Sequence, residues 1–255
     1  MQFQGKQPYE RVIVVRKEIK TLDIQYRFCF PDGGSLDFTL SINPHSLEQI
    51  ESNQKKAPAW TSLDFHQCPN CPLEANTHSH CPVAVNLVKL TEECGGLWSY
   101  DKVHLEVTTP ERVVSKDTTM QAGVSSLLGL AMATSACPHA EFFKPMARFH
   151  LPFASEDETI YRATSMYLLA QYFLHKQGGE PDLELDGLVK IYRNLQIINS
   201  ALAARLRAAS ERDAAVNAVI LLDLFAKVMP YTINDSLDEI RYLFAPFLAE
   251  ASKSP

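Results

Sequence analysis

The alternation of apolar and polar residues in the first half of the chain predicts β-strands. Apolar side chains take every second position over residues 24–30 and again over residues 36–42, which is the period of a half-buried strand. The turn-forming sequence Pro-Asp-Gly-Gly at residues 31–34 separates the two runs. We therefore predict a β-hairpin, a further strand at residues 103–107 on the same small antiparallel sheet, and another apolar strand at residues 11–15.

The second half of the chain has the periodicity of α-helices. Residues 118–134 are rich in small side chains, which predicts a helix that another backbone can approach closely. Farther on, apolar residues recur every three or four positions, and S-x-x-E capping-box patterns stand at residues 155–158 and 236–239. Breaks are predicted at residues 178–181 and 229–234. Four helices with short connections favour an antiparallel arrangement.

Together these patterns indicate an α+β fold. Residues 1–117 are expected to form a β-rich N-terminal part with a Cys/His-rich loop at residues 57–96, which ends in a short helix at residues 82–93. Residues 118–255 are expected to form a helical part on which the loop packs. A chain of 255 residues can form one large domain or two small ones, and we interpret this one as a single integrated domain.

Composition and charge narrow the classes of function. The net charge of −6, without a cluster of Lys and Arg, argues against a nucleic-acid partner. No apolar segment follows the N-terminus, and polar Asn217, Asp223 and Lys227 interrupt the longest apolar run, at residues 214–229. We therefore expect no membrane span and a cytoplasmic location, where six cysteines are more consistent with ligands or free thiols than with disulfides.

Residues 65–82 concentrate side chains that bind metals. This window contains three cysteines and three histidines, whereas the whole chain has six and eight. Cys68 and Cys71 have the C-x2-C spacing, which lets two thiolates point to one metal while the backbone N–H groups between them face the sulfurs. The window therefore predicts a metal centre built on cysteines.

Four cysteines share one further feature. Each is followed directly by proline, whereas Cys29 and Cys94 are not. Because proline favours the first position of a helix and extends the residue before it, helix starts are predicted at Pro72, Pro82 and Pro138. A helix N-terminus favours the thiolate, which is the form that binds a metal. The predicted ligands are the four Cys-Pro cysteines, Cys68, Cys71, Cys81 and Cys137.

The ligand set allows two kinds of metal centre. Structural zinc sites usually combine two close pairs of ligands, and here only Cys68 with Cys71 forms such a pair. A compact trio with one distant cysteine suits a [4Fe–4S] cluster equally well, and four equivalent Cys-Pro units make the cluster slightly preferred over Zn2+. In a zinc site with three cysteines, a histidine could be the fourth ligand, and the candidates are His66, His78, His80 and His139.

Aromatic and basic residues at positions 142–153 follow Cys137 closely. Lys144, Arg148 and His150 in this segment could bind an anion beside the metal, or could offset the negative charge of a tetrathiolate site. The simpler interpretation is an aromatic core segment whose cations reach the surface or pair with the acids at residues 156–158.

Three functional hypotheses follow from these residues. The first is a cytoplasmic metal-centre protein with a redox, sensing or regulatory role. A second is an interaction or scaffold protein with a structural zinc site, whose C-terminal helices bind a protein partner. The third is a redox enzyme that uses Cys68 and Cys71 as a dithiol. Common catalytic motifs are missing from the sequence, so it does not decide whether the protein is an enzyme. Nor does it specify an oligomeric state.

Overall fold

The computed structural model describes residues 20–50, 57–209, 212–235 and 237–251. The strand predicted at residues 11–15 lies outside these residues, as does Ser236 of the second capping-box pattern. Within them, an antiparallel sheet comes first and a mainly helical half follows, so the α+β prediction is confirmed at that level.

Among the described residues, four antiparallel strands form the sheet, in the order β2-β1-β3-β4. They are β1 (Leu22–Cys29), β2 (Ser35–Ile42), β3 (Lys102–Thr108) and β4 (Val113–Thr119). β1 and β2 are the predicted hairpin, and Gly33 in their connection has a φ of +90°, which glycine adopts without strain. β3 is the predicted further strand and pairs with β1.

β4 has no counterpart in the sequence prediction. It pairs with β3 along its length, but most of its side chains are exposed and show no apolar alternation. Its last residue, Thr119, directly precedes helix α3 (Met120–Ala133), which is the predicted small-residue helix. Gly123 on α3 lies against the sheet, because an added Cβ there would be only 2.6 Å from the Phe28 ring.

Short helices follow the Cys/His-rich loop and helix α3. Two helices, α1 (Pro82–Asn86) and α2 (Val88–Cys94), occupy the place of the single helix predicted at residues 82–93. Leu87 separates them because its ψ of −1° interrupts the helical backbone. After α3, a 3-10 turn (Glu141–Phe143) leads into α4 (Lys144–Arg148).

Long helices form the C-terminal half. They are α5 (Glu156–Lys176), α6 (Asp186–Ala209) and α7 (Ala214–Asp235), followed by a 3-10 segment (Leu237–Phe244) and α8 (Ala245–Ala251). α6 and α7 pack against each other, and α7 also packs on α3.

The first predicted capping box is confirmed. The Ser155 hydroxyl accepts a hydrogen bond from the Glu158 N–H, and the Glu158 carboxylate accepts one from the Ser155 N–H at 2.7 Å. The break predicted at residues 229–234 is wrong, because α7 continues through Pro230 to Asp235. Met229, the residue before Pro230, is buried with side chains of α5 and α6, and this packing holds the helix together despite the hydrogen bond that proline removes.

In the part of the chain that the structure describes, two clusters of buried apolar side chains form the core. The larger cluster combines the inner face of the sheet, α3 and parts of α6 and α7. A smaller cluster joins α5 to other parts of α6 and α7. Helix α7 therefore belongs to both clusters.

By length and composition alone, Ala214–Tyr231 of α7 could also cross a membrane. In this structure almost half of that stretch is buried. Asp223 and Lys227 within it form a salt bridge of 2.6 Å. The buried side of α7 packs on α3 and on α6.

Candidate metal centre

Cys68 and Cys71 stand at the two ends of a tight turn, the 68–71 turn. The Cys71 N–H donates to the Cys68 carbonyl oxygen at 3.0 Å. The helix predicted to start at Pro72 is absent, because residues 72–74 are irregular and residues 75–77 form a turn. Most side chains just after Pro72 are exposed, so no core contact holds a helix there.

Cys81 is positioned by a short strand-like pairing. Its N–H donates to the Thr61 carbonyl oxygen at 2.8 Å, next to a β-bridge between Ser62 and His80. The Cys81 carbonyl oxygen accepts from the Val85 N–H at 3.0 Å, and Pro82 is the first residue of α1. Cys81 is therefore an N-cap residue followed by proline at N1, as predicted.

Cys137 opens a helical turn after α3, the 137–141 turn. Its carbonyl oxygen accepts from the Ala140 N–H at 3.0 Å and from the Glu141 N–H at 3.1 Å. Burial raises the pKa of the Cys137 thiol, while the N–H groups of His139 and Ala140 face the sulfur and oppose that rise. The predicted helix start at Pro138 thus exists as a turn that leads into the 3-10 segment.

Hydrogen bonds join the two turns to each other and to α6. His139 Nε2 lies 2.7 Å from the carbonyl oxygen of Asn70, and since a carbonyl can only accept, Nε2 is the donor. The Asn70 amide nitrogen donates to Asn194 Oδ1 on α6 at 3.0 Å. The 68–71 turn is therefore anchored on two sides.

All four Cys-Pro thiols share one electrostatic neighbourhood. Burial raises the pKa of the Cys68 thiol to about 12, and the nearby thiols of Cys81, Cys71 and Cys137 raise it further. The positive charge of Arg205 opposes this rise. The four predicted ligands come from separate segments of the chain, and they are close enough for their charges to influence one another.

The four thiols do not form a preassembled metal site. Among the residues that the structure describes, no three His, Cys, Asp or Glu side chains are arranged to hold a metal ion as they stand. All four cysteines are free and half-buried. The metal centre therefore stays a prediction.

Each histidine named as a substitute ligand has another contact. His80 Nδ1 lies 2.9 Å from the Thr61 hydroxyl, and His78 Nδ1 lies 2.9 Å from the Thr77 hydroxyl. The ring of His66 packs edge-on against Phe65. His139 donates to Asn70 as described above, so its Nε2 is occupied.

Arg205 on α6 is a residue at this site that sequence reasoning missed. It is 1% exposed, and its guanidinium donates to the carbonyl oxygens of Trp60, Ser62 and Leu63 at 2.9, 2.6 and 2.9 Å. These carbonyls belong to the segment that pairs with residues 79–81. The available signal was its position beside Leu206, on the apolar face of a helix.

The charge of Arg205 has no buried counter-ion among the described residues. The salt bridges found there do not include Arg205. The charge of Arg205 contributes to lowering the pKa of Asp64, but the Asp64 side chain is fully exposed. The three carbonyls satisfy the N–H donors of Arg205 but do not neutralise its charge.

The cations at residues 142–153 are engaged elsewhere. Lys144 Nζ pairs with a Glu48 carboxylate oxygen at 3.0 Å, and Arg148 pairs with Glu111 at 3.3 Å. Both cations thus pair with acids, as in the simpler interpretation of an aromatic core segment, but the acids are not those at residues 156–158. His150 contacts the Tyr26 hydroxyl on the sheet.

Comparison with protein families places this arrangement in a wider context. One family model matches residues 24–245, which include nearly all of the sheet, the four Cys-Pro cysteines and Arg205. The chain belongs to this family, DUF6901, described as a domain of unknown function. Comparison with the curated proteins and with the solved structures finds no match. Membership of DUF6901 therefore assigns no activity to the chain.

Proposed function

We propose that this protein is a cytoplasmic metal-centre protein with a redox, sensing or regulatory role. Its ligands are the four Cys-Pro thiols, and its metal is a [4Fe–4S] cluster or, as the second choice, Zn2+. One observation carries the proposal, namely that the buried Cys68 thiol lies within electrostatic range of the thiols of Cys71, Cys81 and Cys137 and of the buried cation Arg205.

The charge of Arg205 supports a negatively charged occupant. A buried cation without a counter-ion costs several kcal/mol, to an order of magnitude, since the interior does not solvate it as water does. Four thiolates around zinc or an iron–sulfur cluster leave a net negative charge that Arg205 would offset. The same attraction favours loss of the thiol protons when the metal binds.

Contacts around the thiols support the cluster as first choice. The N–H groups of His139 and Ala140 face the Cys137 sulfur, and N–H donors to sulfur are one means by which proteins tune cluster potentials. The bond from His139 to Asn70 orients the 137–141 turn relative to the 68–71 turn, as outer-shell contacts do at metal sites. An all-cysteine set needs none of the histidines.

The regulatory role follows from which segments the metal would connect. It would link the Cys/His-rich loop, which lies on α6, to the turn after α3, which packs on α7. Loss of the metal would loosen this link and change the surface that the antiparallel C-terminal helices offer to a protein partner.

Anaerobic purification tests the proposal. We expect brown protein with about four iron and four sulfide per chain. The variants Cys81→Ser and Cys137→Ser should lose metal and melt at a lower temperature, whereas the matched control Cys29→Ser should keep both metal and stability. Full metal content in both ligand variants would show that the proposal is wrong.

A second candidate is an interaction or scaffold protein in which zinc is purely structural. The observation that favours it is the number of exposed large apolar side chains on the C-terminal helices, which is typical of a protein-binding surface. The exposed apolar side chains include Leu169, Tyr172, Phe173, Tyr242, Phe247 and Leu248. Colourless protein with one zinc per chain would support this candidate over the first.

The dithiol enzyme has the least support. A nucleophilic thiol needs a lowered pKa, whereas burial raises the pKa of Cys68. Rapid alkylation of Cys68 and Cys71 in protein without bound metal would reverse this ranking.

A further inference from the structure

A cavity of about 250 Å3 lies among α3, α4, α5, α6 and α7. Cysteine does not line it, so it is separate from the candidate metal centre. Its wall contains side chains from both core clusters and is mostly apolar. The larger apolar residues of the wall include Leu130, Met132, Phe143, Leu195, Leu222 and Phe225.

Asn199 places an unused amide on this wall. The side chain is 1% exposed, and neither its Nδ2 nor its Oδ1 has a hydrogen-bond partner. Leaving such a group unpaired is costly, and most buried polar atoms in native proteins are paired. The amide of Asn199 offers one donor group and one acceptor to a molecule in the cavity.

Arg162 supplies a positive charge on the same wall. One of its terminal nitrogens donates to the carbonyl oxygens of Met146 and Phe149, at 3.2 and 2.9 Å. Burial lowers the pKa of Arg162, so its charge is already partly removed from water. Glu158 on the same helix attracts this charge, but its carboxylate is exposed and accepts a hydrogen bond from the Ser155 N–H. No Asp or Glu is found among the described residues of the wall.

The remaining polar side chains of the wall are neutral. Two of them, Ser126 and His150, contact the hydroxyl of Tyr26 on the sheet, which lies 3.0 Å from Ser126 Oγ and 2.5 Å from His150 Nε2. Burial, with a smaller contribution from Arg162, lowers the pKa of His150 to about 4, so its imidazole is uncharged at neutral pH. A single cation among neutral groups matches a ligand with one negative charge.

We propose that this cavity binds a small carboxylic acid with an apolar body, its carboxylate facing Arg162 and Asn199. An engineered apolar cavity of about 150 Å3 holds benzene, so by proportion this one has room for about ten non-hydrogen atoms. Octanoate has that size and chemistry, as do simple aromatic acids. The inference is independent of the proposed metal centre.

Calorimetric titration of the full chain with octanoate tests the proposal, with octanol as the uncharged probe. We expect saturable binding of one octanoate per chain and at least about tenfold weaker binding of octanol, because octanol cannot pair with Arg162. No saturable binding of octanoate, or equal affinity for the two probes, would overturn the proposal.

Matched variants locate the site. Arg162→Gln should weaken octanoate binding at least about tenfold, whereas Arg148→Gln, which removes an arginine outside the cavity, should change it less than about twofold. Asn199→Leu is close in shape and serves as the second variant if Arg162→Gln does not fold. It should also weaken binding severalfold, and unchanged affinity in the folded variants would contradict the assignment.

Discussion

The His139 imidazole donates a hydrogen bond of 2.7 Å to the carbonyl oxygen of Asn70, a residue 69 positions earlier in the chain. This bond joins the 137–141 turn to the 68–71 turn, and thereby relates Cys137 to Cys68 and Cys71 without using a sulfur atom. The thiols are therefore held near one another by the fold itself.

Replacing His139 tests how much this bond contributes. We expect His139→Ala to lower the free energy of unfolding by about 1 kcal/mol, since one partly buried hydrogen bond is lost. Urea unfolding measures the change. The control is His78→Ala, at an exposed position of the Cys/His-rich loop, which should alter stability by less than about 0.5 kcal/mol. Equal effects of the two variants would contradict the role of the bond.

Arg205 is expected to be far more sensitive to replacement. Arg205→Met would leave three backbone carbonyls without their donor, so the free energy of unfolding should fall by about 3 kcal/mol or more. Arg207→Met on the exposed side of the same helix is the matched control and should lie within about 0.5 kcal/mol of the wild type. Thermal and urea unfolding both report the difference. A loss of stability at Arg205→Met no larger than that of the control would count against a structural role for the three hydrogen bonds from Arg205.

His150 should make stability depend on pH. Its pKa is about 4 in the folded chain and about 6.5 when unfolded, so between these values only the unfolded chain binds the proton. Stability is therefore complete above pH 6.5 and falls as the pH decreases, by about 2 kcal/mol between pH 7 and pH 5. In His150→Gln, whose amide can still form a hydrogen bond with Tyr26, this part of the pH dependence should disappear.

The control for the pH experiment is His45→Gln, at an exposed position. It should retain the wild-type difference between pH 7 and pH 5. If the His150→Gln variant shows the same difference as wild type, burial of a neutral imidazole is not its cause.

Two glycines of α3 should respond in opposite directions to alanine. A Cβ at Gly123 would be 2.6 Å from Phe28 and 2.9 Å from Leu105, so Gly123→Ala should cost about 1–3 kcal/mol. At Gly129 the nearest atom, on Leu222, is 3.5 Å away, which is ordinary contact. Gly129→Ala should therefore stabilise the helix by up to about 1 kcal/mol, and melting temperatures of the two variants are the measurement.

Local patterns predicted the parts of the fold in which burial alternates. The hairpin was predictable because β1 buries every second side chain, from Leu22 to Phe28. β4 was not, since an edge strand with exposed side chains is defined by its backbone bonds to β3 and leaves no apolar pattern. Helix α7 passes through Pro230 because of tertiary packing, which a local rule for proline does not include.

The site shows the same division. Prolines singled out the four thiols because a Cys-Pro pair is visible in the sequence. Whether each pair begins a helix depends on burial of the next residues: Val83 and Ala84 after Pro82 lie in the core, whereas the residues after Pro72 do not. The contacts of Arg205 and Asn199 are seen only in the structure, because they involve segments far away in the chain.

The bonds that position the thiol-bearing segments have a consequence for biosynthesis. Arg205 holds the segment beside Cys81, and His139 and Asn194 hold the 68–71 turn, all through nitrogen and oxygen atoms. If the proposed metal or cluster binds here, it would therefore meet segments that the fold has already positioned, unlike a zinc finger, which folds only when its metal binds. Under that proposal, synthesis of the chain and insertion of the metal would be separate steps.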